Sequence, residues 1–161
     1  DALPISMIHE RLEHAINLAR RHQTLVGVVF VDLDNFKTVN DSLGHAAGDK
    51  ALLAVADVVR TELREGDLAA RFGGEEFVLL LSHCNREQGL QFANRLREKV
   101  AAAQVMGAAD PEVRVTVSLG IADSAHGGWG LDALLSAADA AMYQAKNAGR
   151  NRAVAASVSP D

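Results

Sequence analysis

The stretch DLAARFGGEEFVLLL, residues 67–81, decides how this 161-residue chain folds. Its two halves, 67–72 and 75–81, are short runs rich in apolar residues, as is typical of β-strands, and Gly73 and Gly74 separate them. A two-residue hairpin turn needs positive φ at both positions, which glycine adopts without strain. The sequence therefore predicts a tight antiparallel hairpin.

Segments on either side of this hairpin alternate between strand and helix patterns. The apolar, β-branched run 25–33 predicts a strand covered on both faces at the centre of a sheet, and alternation predicts another strand over 113–121. Apolar residues at helical spacing predict helices over 5–22, 49–64, 86–104 and 131–147. Gly149 caps the last of them, and a short strand is expected after it. Polar composition predicts a short helix with loops over 35–48, and loops over 107–111 and 123–130.

The order of these elements indicates the fold class. A hairpin inside an otherwise helix-linked sheet favours an α+β fold of the ferredoxin-like type over a doubly wound parallel fold. We therefore expect a central sheet that contains antiparallel strands and is flanked by helices.

Composition and charge limit the function. Hydrophobic residues make up 48% of the chain and charged residues 23%, as expected for one globular domain. With 16 basic and 21 acidic residues the net charge is −5, which argues against a nucleic-acid partner because no broad cationic surface exists. No apolar run approaches the roughly 20 residues of a membrane-spanning helix. A single cysteine, Cys84, and the lack of a signal-peptide pattern favour a cytoplasmic location.

Acidic residues follow both the central strand and the glycine pair. Asp32 and Asp34 end the strand, and Glu75 and Glu76 follow the turn. If the hairpin pairs beside that strand, three or four carboxylates meet at one edge of the sheet and repel each other unless a cation lies among them. Mg²⁺ suits such a place because it takes one or two carboxylates and completes its shell with water and phosphate oxygens. Each acid taken alone is more typical of a solvated loop end.

Two further pairs of side chains suit a nucleotide. Lys146 and Arg150 lie four residues apart at the end of the last helix, where they can clamp phosphates or simply stabilise the helix C-terminus. Asn40 and Asp49 can hydrogen-bond the edge of a guanine base, but both are also common loop and N-cap residues. The Walker and GxGxxG phosphate-binding motifs are absent.

Four motifs in one order resemble the GGDEF family of diguanylate cyclases. They are FVDLDNFKTVND (30–41), LGHAAGD (43–49), RFGGEEF (71–77) and AMYQAKNAGRN (141–151). The resemblance implies the sheet of nucleotide cyclases and an enzyme that joins two GTP molecules into cyclic di-GMP with release of pyrophosphate. It implies Mg²⁺, with Mn²⁺ as an alternative ion.

The resemblance also implies roles for individual residues. Asp32, Glu75 and Glu76, assisted by the carbonyl of Leu33, match the metal site, and Glu76 matches an acid associated either with the metal or with activation of the 3′-hydroxyl. The matching substrate-binding positions are Asn35, Phe36 and Lys37 for the phosphates, Asn40, Asp49 and Leu52 for guanine, Gly74 in the turn, and Lys146 and Arg150 for the triphosphate.

A second, inhibitory site is implied by an RxxD motif. Arg64 and Asp67 stand ahead of the hairpin at the family's distance, and Arg95 matches a secondary arginine of the same site. These positions imply feedback inhibition by cyclic di-GMP, although an RxxD is also a common surface ion pair. The start of the chain, DALPISMIHERL, departs from the family pattern DxLTGLxNR.

The implied reaction needs two copies of the domain. One GTP cannot supply both the attacking 3′-hydroxyl and the attacked α-phosphate of a symmetric product, so we expect a homodimer of GTP-loaded domains. We expect one GGDEF domain with an N-terminal helix (1–24), a catalytic core (25–152) and a tail (153–161). We also expect sensor or phosphodiesterase domains in a longer protein, which could itself be membrane-attached.

Two alternative functions remain open. The first is a weakly active or inactive module that binds GTP or cyclic di-GMP and regulates a neighbouring domain. The second is a cyclase with relaxed base choice, although Asp49 favours guanine.

Overall fold

The computed structural model describes residues 5–103 and 115–157. Helices and strands alternate along these two ranges. In chain order they are α1 (Ile5–Arg21), β1 (Val26–Leu33), α2 (Phe36–Leu43), α3 (His45–Glu62), β2 (Leu68–Arg71), β3 (Glu76–Ser82), α4 (Arg86–Ala102), β4 (Val117–Asp123), α5 (Ser124–Gly127), α6 (Leu131–Asn147) and β5 (Ala153–Ala155).

The five strands form one sheet in the order β2-β3-β1-β4-β5. β1 pairs antiparallel with β3 and β4, β2 pairs antiparallel with β3, and β5 alone runs parallel to its neighbour, β4. The first four strands and their helical crossovers have the ferredoxin-like arrangement, and α6 with β5 extends it. The predicted α+β class and central antiparallel hairpin are confirmed.

β1 lies at the centre of the sheet and is covered on both faces, as its composition predicts. Val29 and Val31 belong to the core under α3 and α4. Val28 and Phe30 belong to the core under α1 and α6. The alternation follows from the two-residue period of a strand. The result is three layers, helix, sheet and helix, with the end of β1 open at one edge.

Helix α6 lies unusually close to the sheet at Gly120 of β4. A Cβ atom at this position would overlap the backbone of α6 at Ala138 and Met142. Glycine is therefore required here because two backbones approach each other, and the contact sets the height of α6 above the sheet.

The hairpin forms where the sequence predicts it, but the predicted turn is wrong. Neither Gly73 nor Gly74 is among the glycines with positive φ. The N–H of Phe72 donates to the carbonyl of Glu76 at 2.8 Å, so three residues, 73–75, form the tip instead of two. A Cβ on Gly73 would lie 2.6 Å from Oε1 of Glu76, so the Glu76 side chain would have to move, whereas a Cβ on Gly74 would meet nothing.

Other element boundaries differ by a few residues. α3 begins at His45 rather than at 49. Gly44 (φ 89°) ends α2, and the helix-forming alanines that follow it start α3. Residues 124–127 form the helical turn α5, with Asp123 as its N-cap. β5 extends the sheet beyond residue 152, the predicted end of the core.

Some predicted elements fall partly outside the described ranges. The loop over 107–111, the start of the strand at 113 and the last residue of the helix over 86–104 all lie there. Among the described helices, none has the length and hydropathy needed to cross a bilayer.

Candidate active site

Three acids meet at the open end of β1. Asp32 lies directly opposite Glu76 of β3 in the strand register. The N–H of Leu33 donates to the carbonyl of Glu75 at 3.2 Å, which holds the hairpin tip against the end of β1. The structure thus brings Asp32, Glu75 and Glu76 to one edge of the sheet, as strand pairing alone required.

Lys146 of α6 lies among these acids. Its Nζ is 3.1 Å from Oδ1 of Asp32, 2.9 Å from Oδ1 of Asp34 and 3.1 Å from the carbonyl oxygen of Leu33. Only 16% of the lysine side chain is exposed. The ammonium is therefore a built-in counter-ion for the end of β1.

Asp34 has a different role from Asp32, although both carboxylates contact Lys146. Its carboxylate is buried and accepts hydrogen bonds from four donors: Thr116 Oγ1 and Ser118 Oγ at 2.7 Å, Lys146 Nζ at 2.9 Å and the Asn151 N–H at 3.0 Å. Burial alone would raise the pKa of Asp34, but the hydrogen bonds outweigh it and the pKa is lowered. Asp34 is thus a charged anchor that orients Lys146.

The pKa values of the other three acids at this edge, Asp32, Glu75 and Glu76, are raised instead of lowered. Burial, and then the charge of Asp32, raise the pKa of both Glu75 and Glu76. Burial also raises the pKa of Asp32, and Lys146 only partly offsets it. Like-charged groups that are partly desolvated favour binding of a cation.

Asp139 of α6 is a further acid of this region that sequence reasoning missed. Its charge raises the pKa of Asp32 and Glu76, and burial raises the pKa of Asp139 itself. Its spacing of seven residues from Lys146, two helical turns, places both on one face of α6 and could have revealed it.

The donor set fits a magnesium ion bound together with a nucleotide. Within residues 5–103 and 115–157, no three His, Cys, Asp or Glu side chains form a ready-made metal cage. Mg²⁺ needs only one or two carboxylates when waters and phosphate oxygens complete its shell. Asp32, Glu75 and Glu76, with the Leu33 carbonyl, supply such donors, whereas a site formed by protein ligands alone is not present.

The predicted phosphate loop coincides with the start of α2. Asn35 precedes the helix with φ 58°, in the left-handed region, and no side chain caps the helix. The first N–H groups of a helix, here those of Phe36 and Lys37, have no acceptor within the helix. Such N–H groups bind anions well, so this segment suits phosphate oxygens.

A cavity of about 320 Å³ lies between α3 and the hairpin. Its lining includes the predicted Asp49 and Leu52. Four lining residues were not predicted: Leu53, Ala56, Arg71 and Phe77. Apolar walls with one carboxylate and one guanidinium suit a flat polar ring.

Arg71 connects this cavity to the hairpin tip. Its guanidinium donates to the carbonyl oxygens of Gly73 at 3.3 Å and Gly74 at 2.7 Å. From the sequence, Arg71 was recognised only as part of the RFGGEEF motif. Its hydrogen bonds to backbone carbonyls two and three residues away could not be predicted, because they produce no periodic pattern in the sequence.

Asn40 does not line the cavity, although its side chain lies near Gly48, the residue before Asp49. Its amide lies against Gly48, where a Cβ would overlap it. Oδ1 of Asn40 is buried and has no hydrogen-bond partner among residues 5–103 and 115–157. A buried acceptor without a donor is costly, and an N–H group of a ligand could satisfy it.

Arg150, the second predicted phosphate-binding cation, is exposed beyond α6. Its backbone has φ 63°, and its N–H donates to the carbonyl of Ala145 at 3.0 Å, next to Gly149 with φ 124°. This turn ends the helix, as Gly149 predicts, and carries Asn151 back to Asp34. In the described contacts, Lys146 reaches the acids and the Arg150 side chain does not.

The RxxD motif lies at the other end of the hairpin. The Asp67 side chain is fully buried and accepts hydrogen bonds from the Arg64 N–H and the Ser82 N–H, each at 2.9 Å, and from Ser82 Oγ at 3.2 Å. The Arg64 side chain is 61% exposed and donates to the Ser82 carbonyl at 2.8 Å. Arg95 lies over the Phe92 ring and contacts Glu62 at 3.2 Å.

Comparisons with known proteins identify the family of this chain. The family model "Diguanylate cyclase, GGDEF domain" matches residues 6–152. The diguanylate cyclase DgcP of Pseudomonas aeruginosa is 43% identical over 149 residues, which cover 90% of this chain and 21% of DgcP. The chain thus spans about a fifth of that relative.

Solved structures are similar along nearly the whole chain. The GGDEF domain of YfiN (TpbB) from P. aeruginosa is 36% identical, with a TM-score of 0.86 and 96% of both chains covered. The GGDEF domain of DgcB from Caulobacter crescentus, solved in complex with c-di-GMP, is 27% identical with a TM-score of 0.84, covering 96% of this chain and 94% of that one. By its fold, its motifs and these matches, the chain belongs to the GGDEF domain family of diguanylate cyclases.

Proposed function

We propose that this domain condenses two GTP molecules into cyclic di-GMP and releases two pyrophosphates, using a divalent cation of the Mg²⁺ type. In each of two transfers, the 3′-oxygen of one GTP bonds to the α-phosphorus of the other. The bond from that phosphorus to the β-phosphate bridge breaks, and the hydroxyl proton is lost.

Asp32, Glu75 and Glu76, with the Leu33 carbonyl, would hold the metal. When bound, the metal neutralises the charge that develops on the phosphate oxygens during phosphoryl transfer. Mg²⁺ is the expected ion, and Mn²⁺ is the alternative with the same oxygen preference. Glu76 is suited either to this task or to accepting the 3′-hydroxyl proton.

The remaining residues bind and orient the nucleotide. The N–H groups of Asn35, Phe36 and Lys37 would bind the outer phosphates, while Lys146, held by Asp34, adds a positive charge beside them. Gly74 leaves open space at the hairpin tip. Arg150 would close over the triphosphate from its exposed position.

Asp49 and Asn40 would bind the edge of the guanine base beside Leu52. Asp49 lies in the cavity wall and can accept from guanine N–H groups, and Asn40 carries an acceptor without a partner. The same polar groups would be left unpaired by adenine, which gives the preference for GTP.

Catalysis would require two GTP-loaded domains that face each other across a two-fold axis. In the longer proteins that contain such domains, sensor or phosphodiesterase partners would control this pairing. Product inhibition would act at Arg64, Asp67 and Arg95, where exposed guanidinium groups suit the phosphates of cyclic di-GMP. We further propose that residues 25–152 are the catalytic core, with β5 attached to it.

The convergence of Asp32, Glu75 and Glu76 at one sheet edge is the observation that carries this function. The test is conversion of GTP to cyclic di-GMP, with and without Mg²⁺, over a wide range of protein concentration. We expect metal-dependent product whose rate rises faster than linearly with protein. Glu75→Gln should remove the activity, and Glu98→Gln, a change of an exposed carboxylate on α4, should retain it.

Metal-independent GTP affinity together with no product at any protein concentration would contradict the enzyme function. Such a result would instead support a GTP-binding regulatory module. Equal competition by ATP would contradict the assignment of Asp49 and Asn40 to guanine.

A further inference from the structure

Glu62, the last residue of α3, links two cations of α4 beside the RxxD motif. Its carboxylate lies 3.2 Å from Nε of Arg95 and 2.7 Å from Nζ of Lys99. The Glu62 side chain is only 9% exposed, whereas those of Arg95 and Lys99 are 53% and 54% exposed. Neither Glu62 nor Lys99 has a part in the function proposed above.

This carboxylate is charged whenever the protein is near neutral pH. The hydrogen bond from Lys99 is the main cause that lowers the pKa of Glu62, and the charges of Lys99 and Arg95 act in the same direction. Arg95 therefore already has an anionic partner within the chain before any ligand arrives.

Phosphate diesters would compete with that partner. The region contains three cations, Arg64, Arg95 and Lys99, and three acids, of which Glu62 and Asp67 contact these cations and Glu65 is exposed between Arg64 and Asp67. Asp67 is saturated by backbone and serine donors and cannot release them without unfolding the turn. Glu62 is the one of the two acids whose partners are side chains that can turn outward.

We propose that Glu62 competes with the phosphates of a cyclic dinucleotide for Arg95 and thereby sets the affinity of the inhibitory site. Lys99 makes the exchange feasible, because it keeps Glu62 paired at 2.7 Å when Arg95 turns toward the ligand. Without Lys99, release of Arg95 would leave a mostly buried carboxylate unpaired, which is unfavourable. The inference rests on the proposed function, since it assumes that the RxxD region binds this ligand.

The test is calorimetric titration of the whole chain with cyclic di-GMP. Glu62→Gln should tighten binding by roughly two- to fivefold, the range expected for loss of a partly exposed ion pair. Lys99→Gln should weaken binding, because Glu62 then holds Arg95 alone. Glu98→Gln is the matched control: it removes a carboxylate of α4, the helix of Arg95 and Lys99, that pairs with Arg97 instead, and it should leave affinity unchanged.

A double-variant cycle distinguishes competition for Arg95 from a general charge effect. In an Arg95→Ala background, Glu62→Gln should no longer tighten binding, whereas a long-range charge effect would persist. Thermal unfolding of each variant checks that the fold is retained.

The possible failures are separable. If the wild type binds cyclic di-GMP, Arg64→Ala weakens that binding and Glu62→Gln changes nothing, then the role of Glu62 is wrong and the inhibitory site stands. If binding does not depend on Arg64, the inhibitory site itself is wrong, and the inference about Glu62 is overturned with it.

Discussion

The two ends of the β2–β3 hairpin carry acids in opposite states. At the tip, Glu75 and Glu76 face Asp32, and burial, followed by the charges of neighbouring carboxylates, raises the pKa of all three. At the base, Asp67 is fully buried, yet its carboxylate accepts three hydrogen bonds of 3.2 Å or less. At the tip, Lys146 only partly offsets burial and repulsion, whereas at the base the carboxylate is already satisfied by its hydrogen-bond donors.

The acids at the two ends therefore differ in what they do. Those at the tip favour binding of a cation, and Asp67 at the base stabilises the fold. A carboxylate saturated by backbone donors stabilises the turn it belongs to, and its loss leaves those donors unpaired. Carboxylates that repel each other destabilise the protein until a cation binds. Stability and activity should therefore respond in opposite ways at the two ends.

The largest expected effect is on activity at the tip. Asp32→Asn or Glu75→Gln should lower cyclic di-GMP formation by about a hundredfold or more, because a metal donor is lost. Stability should be unchanged or slightly increased in metal-free protein, since repulsion is relieved. Steady-state kinetics and thermal unfolding measure both. If either variant is clearly destabilised and keeps activity within tenfold of wild type, the acids at the tip stabilise the fold and do not serve the reaction.

At the base the effect should fall on stability. Asp67→Ala should cost about 2 to 3 kcal/mol of unfolding free energy, because a fully buried carboxylate is lost and two half-buried donors of Ser82 and the exposed N–H of Arg64 lose their acceptor. Arg64→Ala should cost less than about 1 kcal/mol, since its side chain is mostly exposed. Urea unfolding gives both values. Equal costs for the two variants would mean that Asp67 is not the structural member of the pair.

Arg71 tests whether the tip depends on its backbone support. Arg71→Ala removes the hydrogen bonds to the Gly73 and Gly74 carbonyls and one wall of the cavity. We expect the KM for GTP to rise by roughly tenfold, as for loss of a charge-assisted hydrogen bond. Arg60→Ala, an exposed arginine paired with Asp57, is the control and should behave as wild type.

The smallest effect is a pH dependence of stability. The raised pKa values at the tip mean that the folded state binds more protons than the unfolded state, so these acids should make metal-free protein more stable as pH falls from neutrality toward pH 5. Asp34, whose pKa is lowered, acts oppositely, and its contribution is lost as pH falls below the ordinary carboxyl range. Melting temperatures across pH measure both.

Glu76→Gln should reduce the gain on acidification, and Asp34→Asn should not. Saturating concentrations of Mg²⁺ and a GTP analogue should abolish the gain in stability on acidification. A gain identical in wild type and Glu76→Gln would show that other acids cause it.

Sequence reasoning was most successful where strand pairing alone determines proximity. Asp32 and the glutamates converge because one ends the central strand and the others begin its antiparallel neighbour. The turn was mispredicted because a glycine pair does not reveal its backbone conformation: neither Gly73 nor Gly74 has positive φ, and only Gly73 lies close to Glu76.

Contacts between distant segments were beyond the reach of local patterns. Asp34 is held by Thr116, Ser118 and Asn151, which lie 82, 84 and 117 residues away. Glu62 meets Arg95 and Lys99 from another helix in the same way. Such partners become visible only when the register of the helices on the sheet is known.

The close contact at Gly120 has a mechanical consequence for the distant lysine. Helix α6 rests on bare backbone there, so even one added methyl group would wedge the helix away from the sheet. Gly120→Ala would thereby pull the ammonium of Lys146 off Asp34 without altering any polar group. The alignment of the charged residues is thus governed by a spacing in which no charge takes part.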